Sequence, residues 1–463
     1  MSPCSLPPNA ITLSSPLPPA LGHILIKPVH QSLPGAVACP SPSEPRRQLV
    51  PQSDIVPSLS IPGVEIRRAR PFPNISKAPV AKKNSGHHAK LKRLPRNHSY
   101  RQPSAAAFFA GHRQSDVIPG VTTGNVSVVD RSATQYSVEV VLNGSPVNLI
   151  MNTAGSDTWV RSRNFTCLNN AGGSAPISQC DWGKFGATGF PNGPIQDQHF
   201  AIKNIDGSGV SGQLGYMDVS IANVTVPNQE VAIATQGVWH GDNVTSGMLG
   251  MAYPSLTSAY SGDDLNDTSN ESALEYSPLF TTMMTDGFVR PYWSLAISRN
   301  SSDGLFCLGD LPPLNFTWEH IAKADLLIAK LSNKKATAYQ PSYYATVSDG
   351  FLIGNTDIGE SYPVIFDSST TLAYLPPDVA ETVNSHFQPP ATYLWYYGSY
   401  FVPCDATPPP FSVMLQNSPF SVNPKDMINH DVVDPLTKMC QVSYPTKTFL
   451  LQAPITRTDH ECR

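Results

Sequence analysis

Two stretches of the chain share one order of apolar and polar positions. In the first, Ile150-Met151 lead into Asn152-Thr153, then the small residues Ala154-Gly155-Ser156, then Asp157-Thr158-Trp159-Val160. In the second, Val364-Ile365-Phe366 lead into Asp367-Ser368-Ser369-Thr370-Thr371-Leu372. An apolar run that ends on short polar residues predicts a buried strand running into a turn. Used twice, the pattern predicts two lobes, each presenting one such turn.

The surrounding sequence alternates with a period of two. Tyr136–Leu142 and Val147–Met151 flank Asn143-Gly144-Ser145-Pro146, and an Asn-Gly pair between apolar runs predicts a tight hairpin. Gln213–Val219 and Val224–Ala234 read as strands around Ala222-Asn223, and Asp206-Gly207 marks another turn. Tyr292–Ile297 and Leu305–Leu308 form a further hairpin pattern. Gly250, inside Met248-Leu249-Gly250-Met251, predicts close backbone approach in a sheet. Helix signals are few. One runs from Ser277-Pro278 to Gly287, and another from Asp378 to about Phe387 after Pro376-Pro377. The pattern predicts an all-β, two-lobed fold.

Length and composition change this picture at the ends. With 463 residues the chain exceeds one compact core. Residues 1–70 are rich in Pro and Ser and carry no period, which predicts a disordered extension. Residues 71–134 read as a basic linker, and Lys92-Arg93 within it resembles a dibasic processing site of a removable pro-segment. An N-terminal β lobe is expected over 135–315 and a C-terminal β lobe over 316–463.

Net charge is −4, so no broad basic face invites nucleic acid. No apolar stretch is long enough to span a membrane, and the proline-broken N-terminus lacks a signal-peptide pattern. Against that, eleven Asn-x-Ser/Thr sequons from Asn74 to Asn315 suggest a glycosylated secretory product. Cys167 and Cys180 would close a short loop, and Cys404 and Cys440 a longer one, which fits an oxidising compartment. Cys307, inside an apolar run, reads as a buried free thiol. The histidines form no metal-binding spacing, and Asp263, Asp264 and Asp267 lack the full calcium-loop spacing, so no metal or cofactor is expected.

The landmarks Gly144-Ser145-Pro146, Asn152–Trp159, Asp206-Gly207-Ser208, Met248-Leu249-Gly250, Asp367–Leu372, Leu375-Pro376 and the pair Cys404 and Cys440 occur in an order that resembles pepsin-like aspartic endopeptidases, particularly the secreted fungal kind. The resemblance covers about Gln135 to Cys440. It implies a bilobal acid-protease fold with an interlobe cleft and peptide-bond hydrolysis at acid pH. By position, Asn152 and Asp367 occupy the catalytic pair. Thr153 and Ser368 match the hydroxyls that lock the two loops, Thr370 a hydroxyl beside the pair, and Trp159 an aromatic behind the flap. Asn204, Asp206 and Gly207 fall on the flap. The implied partner is a polypeptide or peptide-like inhibitor. The implied setting is a monomer in an extracellular or vacuolar compartment.

Four departures accompany the resemblance. Asn152 stands where an acid is needed, and an amide can neither act as the base nor share the proton. Ala154 and Ser369 replace glycines, adding a Cβ where backbone N–H groups approach the carboxylates. Asn204 stands at the flap tyrosine. Val442–Arg463 lacks the family's apolar-apolar-Gly strand, so the second lobe is expected to be incomplete and Asp367 to lack its cradling strand. These departures favour a catalytically impaired member that keeps a peptide-binding cleft. The alternatives are an active secreted endopeptidase, with Asp157 the nearest spare acid, and a degraded gene product.

Overall fold

The computed structural model describes residues 135–204, 207–297, 303–310, 322–331 and 339–445, and the backbone of five further strands: Ala10–Ser14, His23–Ile26, Val64–Arg68, Gly124–Arg131 and Leu451–Pro454. Residues 70–119, and with them Lys92-Arg93, lie outside the described residues.

The described chain is built mostly of strands, as the alternation predicts. The first hairpin, Gln135–Leu142 with Ser145–Asn152, turns on Asn143 and Gly144, both at positive φ (44° and 81°). Two left-handed residues make the turn whose twist matches the strands, and Asn and Gly are the residues that tolerate it. Pro194–Lys203 and Gly209–Ile221 form the next hairpin, and Gly209–Ile221 also pairs with Val224–Val238. These strands, with Trp159–Cys167 and Gly247–Gly250, belong to one large mixed sheet.

The two α-helices among the described residues are short, Leu279–Thr285 and Pro377–Ser385. Pro278 and Pro376 stand at their N-caps, and neither has a side-chain cap. The Ser277 hydroxyl, one residue ahead of the N-cap, accepts from Thr282 at 3.0 Å. Gly287, at φ 77°, ends the first helix as expected.

Three strands fall inside residues 1–70, where the composition predicts none. Ala10–Ser14 pairs with Tyr292–Ile297, His23–Ile26 with Ala322–Asp325, and Val64–Arg68 with Leu327–Leu331. Gly124–Arg131, ahead of the expected start of order, lies between Gln135–Leu142 and Asp303–Leu308. Edges of strands formed later in the chain supply the backbone partners, and local sequence does not announce such pairing.

The expected gap beside Asp367 is filled. Leu451–Pro454 runs parallel to Pro363–Asp367, with Pro454 opposite Asp367. This mirrors the first lobe, where Gly247–Gly250 runs parallel to Ser145–Asn152 with Gly250 opposite Asn152. Main-chain pairing sets that register, so a segment lacking the glycine signature takes the same place. Both disulfides form as the spacing suggests, Cys167–Cys180 and Cys404–Cys440. Cys307 is free and buried, and burial pushes its thiol up to about 12. Cys4, Cys39 and Cys462 lie outside the described residues.

Candidate active site

Each catalytic-type loop follows directly from its strand. Ser145–Asn152 delivers Asn152, and Pro363–Asp367 delivers Asp367, which is 3 % exposed. Four hydrogen bonds tie the two loops together. Thr153 N–H donates to Ser368 Oγ at 3.1 Å, and Ser368 N–H donates to Thr153 Oγ1 at 2.9 Å. Each hydroxyl then donates across to the other strand: Thr153 Oγ1 to the Phe366 carbonyl at 2.8 Å and Ser368 Oγ to the Met151 carbonyl at 2.5 Å. A hydroxyl is needed at both positions because each must donate and accept at once. The reciprocal lock brings residues 152 and 367 onto facing loops.

The second lobe holds its carboxylate firmly. Asp367 Oδ1 accepts from Ser369 N–H and from Ser369 Oγ, both at 2.8 Å, and Oδ2 accepts from Thr370 Oγ1. The Cβ at position 369 does not obstruct the backbone approach, and its hydroxyl adds a donor. Ala154 behaves alike: its N–H reaches Asn152 Oδ1 at 2.8 Å, while its methyl packs with Leu327, Ala345 and Ile365. The expectation that these two side chains disturb the site is therefore corrected. Each methyl or hydroxyl points where there is room for it.

The first lobe differs at the acid itself. The Asn152 amide donates through Nδ2 to Met248 Sδ at 3.4 Å, a weak acceptor. Gly155 stands three residues on, where the second lobe has Thr370, and provides no hydroxyl. A Cβ at 155 would come within 2.7 Å of Asn152 Nδ2. The amide thus uses space that Gly155 leaves open. Gly250 is required for a similar reason, because a Cβ there would lie 2.2 Å from the Ser156 carbonyl carbon.

Asp157, the nearest spare acid, is engaged by other residues. Its Oδ1 accepts from Ser258 N–H and from the Tyr276 hydroxyl, both at 2.8 Å, and the residue is buried. Both donors come from residues far along the chain. Burial, then the charge of Asp157, pushes the Glu230 carboxyl up to about 7. Because the folded value exceeds the ordinary one of about 4.3, the native state holds an extra proton between about pH 4.3 and 7, and stability falls as pH rises through that window. Glu230→Gln is expected to stabilise the fold at pH 8 by on the order of 1–2 kcal/mol, discounted for the solvent around this half-buried group, and to change little at pH 4. Denaturant unfolding at both pH values tests it; an equal effect at the two would refute the assignment.

On the hairpin of Pro194–Lys203 and Gly209–Ile221, where the flap is expected, Asn204 and Ser208 close the turn. Asn204 N–H donates to the Ser208 carbonyl at 2.7 Å, and Asn204 Nδ2 to Ser208 Oγ at 3.0 Å. Gly207 N–H donates to the Asn204 carbonyl, and Asp206 lies outside the described residues. Asn204 thus uses its side chain within the turn. Trp159 sits behind this hairpin, packed against Phe200 of Pro194–Lys203 and edge-on to Trp182 and Trp239.

Tyr343 joins the site without a sequence signal that marks it, and Met248, read from the sequence only as part of a landmark, meets the Asn152 amide. Tyr343, like Ala154, packs against the cluster of Leu327, Ala345 and Ile365, and burial followed by the charge of Asp367 pushes its phenol up to about 12. Tyr344 spans the lobes, accepting from Trp293 Nε1 at 2.9 Å and donating to the Met251 carbonyl at 2.8 Å. One group of described side chains, Cys404, His430 and Cys440, has metal-ligand proximity, but its two sulfurs are joined as a disulfide. Among the described residues no helix is long and apolar enough to cross a membrane.

Paired strand-ended loops locked by hydroxyls are the hallmark geometry of one family, and its profile, described as eukaryotic aspartyl protease, matches residues 135–451. The chain belongs to the eukaryotic aspartyl protease family. It is 33% identical over 320 residues to a probable aspartic-type endopeptidase of Aspergillus fumigatus, covering 66% of this chain and 70% of that one. It is 24% identical to aspergillopepsin-1 of Aspergillus clavatus over 72% of this chain and 76% of the relative. It is also 29% identical to chymosin of Callithrix jacchus over 40% of this chain and 43% of the relative. Within this aspartyl protease, Asn152 and Asp367 are the residues at the facing loop ends.

Proposed function

We propose that this aspartyl protease binds polypeptides in its interlobe cleft and that Asn152 strongly impairs their hydrolysis. The family reaction needs one ionised carboxylate to take a proton from water and a protonated partner to donate to the peptide carbonyl. The observation that carries the reading is the Asn152 amide, engaged by Ala154 N–H and Met248 Sδ. An amide has no proton to exchange in the working pH range. Asp367 keeps its three donors, but it works alone.

The cleft depends on the hydroxyl lock and on strand geometry, both independent of a charge at 152. Purified protein is expected to bind a peptide-like aspartic protease inhibitor at acid pH, and to leave denatured protein substrate intact. Calorimetry and a cleavage assay test the two halves. Cleavage that disappears in Asp367→Ala would overturn the impairment.

A secreted, glycosylated and monomeric product fits the same reading. Two disulfides support an oxidising compartment, extracellular or vacuolar. The sequon asparagines Asn164, Asn223, Asn243, Asn266 and Asn270 are exposed and open to glycosylation. Asn143 differs, because its Nδ2 is buried and its Oδ1 accepts from Asp218 N–H. That sequon is not expected to carry a glycan in the folded protein.

A further inference from the structure

The hairpin Thr392–Leu394 to Ser399–Val402 carries an unusual tip. Trp395 is 82 % exposed, and Tyr393, Tyr396 and Tyr397 are 46 %, 46 % and 41 % exposed. Leu436, 82 % exposed, lies two residues beyond Asp434, the hydrogen-bond partner of the Tyr396 side chain. Four large aromatic side chains left this open on one hairpin are a binding signal, since a folded surface ordinarily scatters such residues singly.

The tip is rigid. Tyr397 N–H donates to the Leu394 carbonyl at 3.0 Å and Gly398 N–H to the Trp395 carbonyl at 3.2 Å, with Gly398 at φ 61°. Leu394, Phe401 and Val402 are buried beneath it. Tyr393 packs edge-on to Tyr400 at 5.1 Å, and Tyr397 against Phe401 at 4.8 Å. Ser399–Val402 pairs with Cys440–Val442, and the Cys404–Cys440 disulfide fastens the base. Rings already held in place lose little freedom when a ligand covers them.

Charge narrows the ligand. Residues 388–403 contain no charged side chain. The charged groups that act on the tyrosines here are carboxylates: Asp434 on Tyr396 and Glu381 on Tyr400. Such a surface repels nucleic acid and anionic lipid, both of which need lysine or arginine beside the aromatics. It suits a neutral ligand that offers an apolar face to the rings and hydroxyl donors to the rim. A β-linked pyranoside has that form, with C–H bonds on its faces and hydroxyls around its edge. Trp395 and Tyr396 meet at 89° with centroids 5.6 Å apart, a corner that takes one sugar face on the indole and an edge on the phenol.

We propose that the Tyr393–Tyr397 hairpin tip is a binding site for neutral β-linked polysaccharide, separate from the peptide cleft. It would hold the protein on a glycan matrix. The site uses neither Asn152 nor Asp367, so it stands whether or not the chain hydrolyses peptides.

The test is sedimentation of the full-length protein with insoluble β-glucan or cellulose, with indole fluorescence titrated by soluble β-gluco-oligosaccharides. Co-sedimentation and quenching are expected. Trp395→Ala and Tyr396→Ala are expected each to weaken binding about tenfold, the scale of one lost ring contact. Because Trp395 is so exposed, its variant keeps the fold, which inhibitor binding in the cleft checks independently. Absent polysaccharide binding would overturn the proposal, as would binding unchanged in both variants. Trp395-dependent binding to neutral phospholipid vesicles without polysaccharide binding would also overturn it, and would reassign the tip to a membrane surface.

Discussion

Asn152→Asp is expected to raise kcat/KM on denatured protein at acid pH by about 10²–10⁴-fold, the range that one positioned proton-transfer group supplies. The substitution is close to isosteric. Ala154 N–H already stands 2.8 Å from Oδ1 and would hold a carboxylate equally well. The other oxygen would face Met248 Sδ, and Gly155 gives it no hydroxyl of the kind Thr370 gives Asp367. The gain is therefore expected to stop short of a fully armed pair. Adding Asp367→Asn should return the rate to baseline, because paired groups act as a unit. A folded, inhibitor-binding Asn152→Asp protein that stayed silent would sink the claim that residue 152 is the main lesion, and would turn attention to the Asn204 turn of the flap.

Thr153→Val should cost about 2–5 kcal/mol of stability. It removes the donor to the Phe366 carbonyl and the acceptor for Ser368 N–H, leaving two buried polar groups without their partners. Valine fills the same volume, so packing contributes little to the change. The loss should fall on the junction of the two loops. A cycle with Ser368→Ala is therefore expected to show strong non-additivity, since the four bonds form one reciprocal unit. Denaturant midpoints of the two single variants and the double variant measure it. Additive losses would mean that the loops hold together without the lock.

Much of this was legible in the sequence because it is local. The Asn143-Gly144 turn, the strands on either side and the stop at Gly287 follow from residues within a few positions of each other. The repeated motif located Asn152, Thr153, Asp367 and Ser368, since a catalytic strand and turn is itself a short segment. The same locality misled elsewhere. Asp157 reads as a spare acid beside the first loop but is bound by Ser258 and Tyr276, and no period or spacing connects those positions. Ala154 and Ser369 read as obstructions, because the free space around a Cβ is a property of the packed loops.

The sequence by itself determined the chemistry at the two loop ends: an amide at 152, an acid at 367, and a hydroxyl beside each. Covalent identity fixes which groups can carry a proton, and folding does not alter it. Only the tertiary structure decided the surroundings. It drew Leu451–Pro454 alongside Asp367 without a glycine signature, set Met248 against the Asn152 amide, and raised the Glu230 carboxyl beside Asp157. It also left Trp395 and its neighbouring tyrosines in solvent. Strand pairing, burial and the field of a distant charge depend on which segments meet in space, and that meeting is the work of the whole chain.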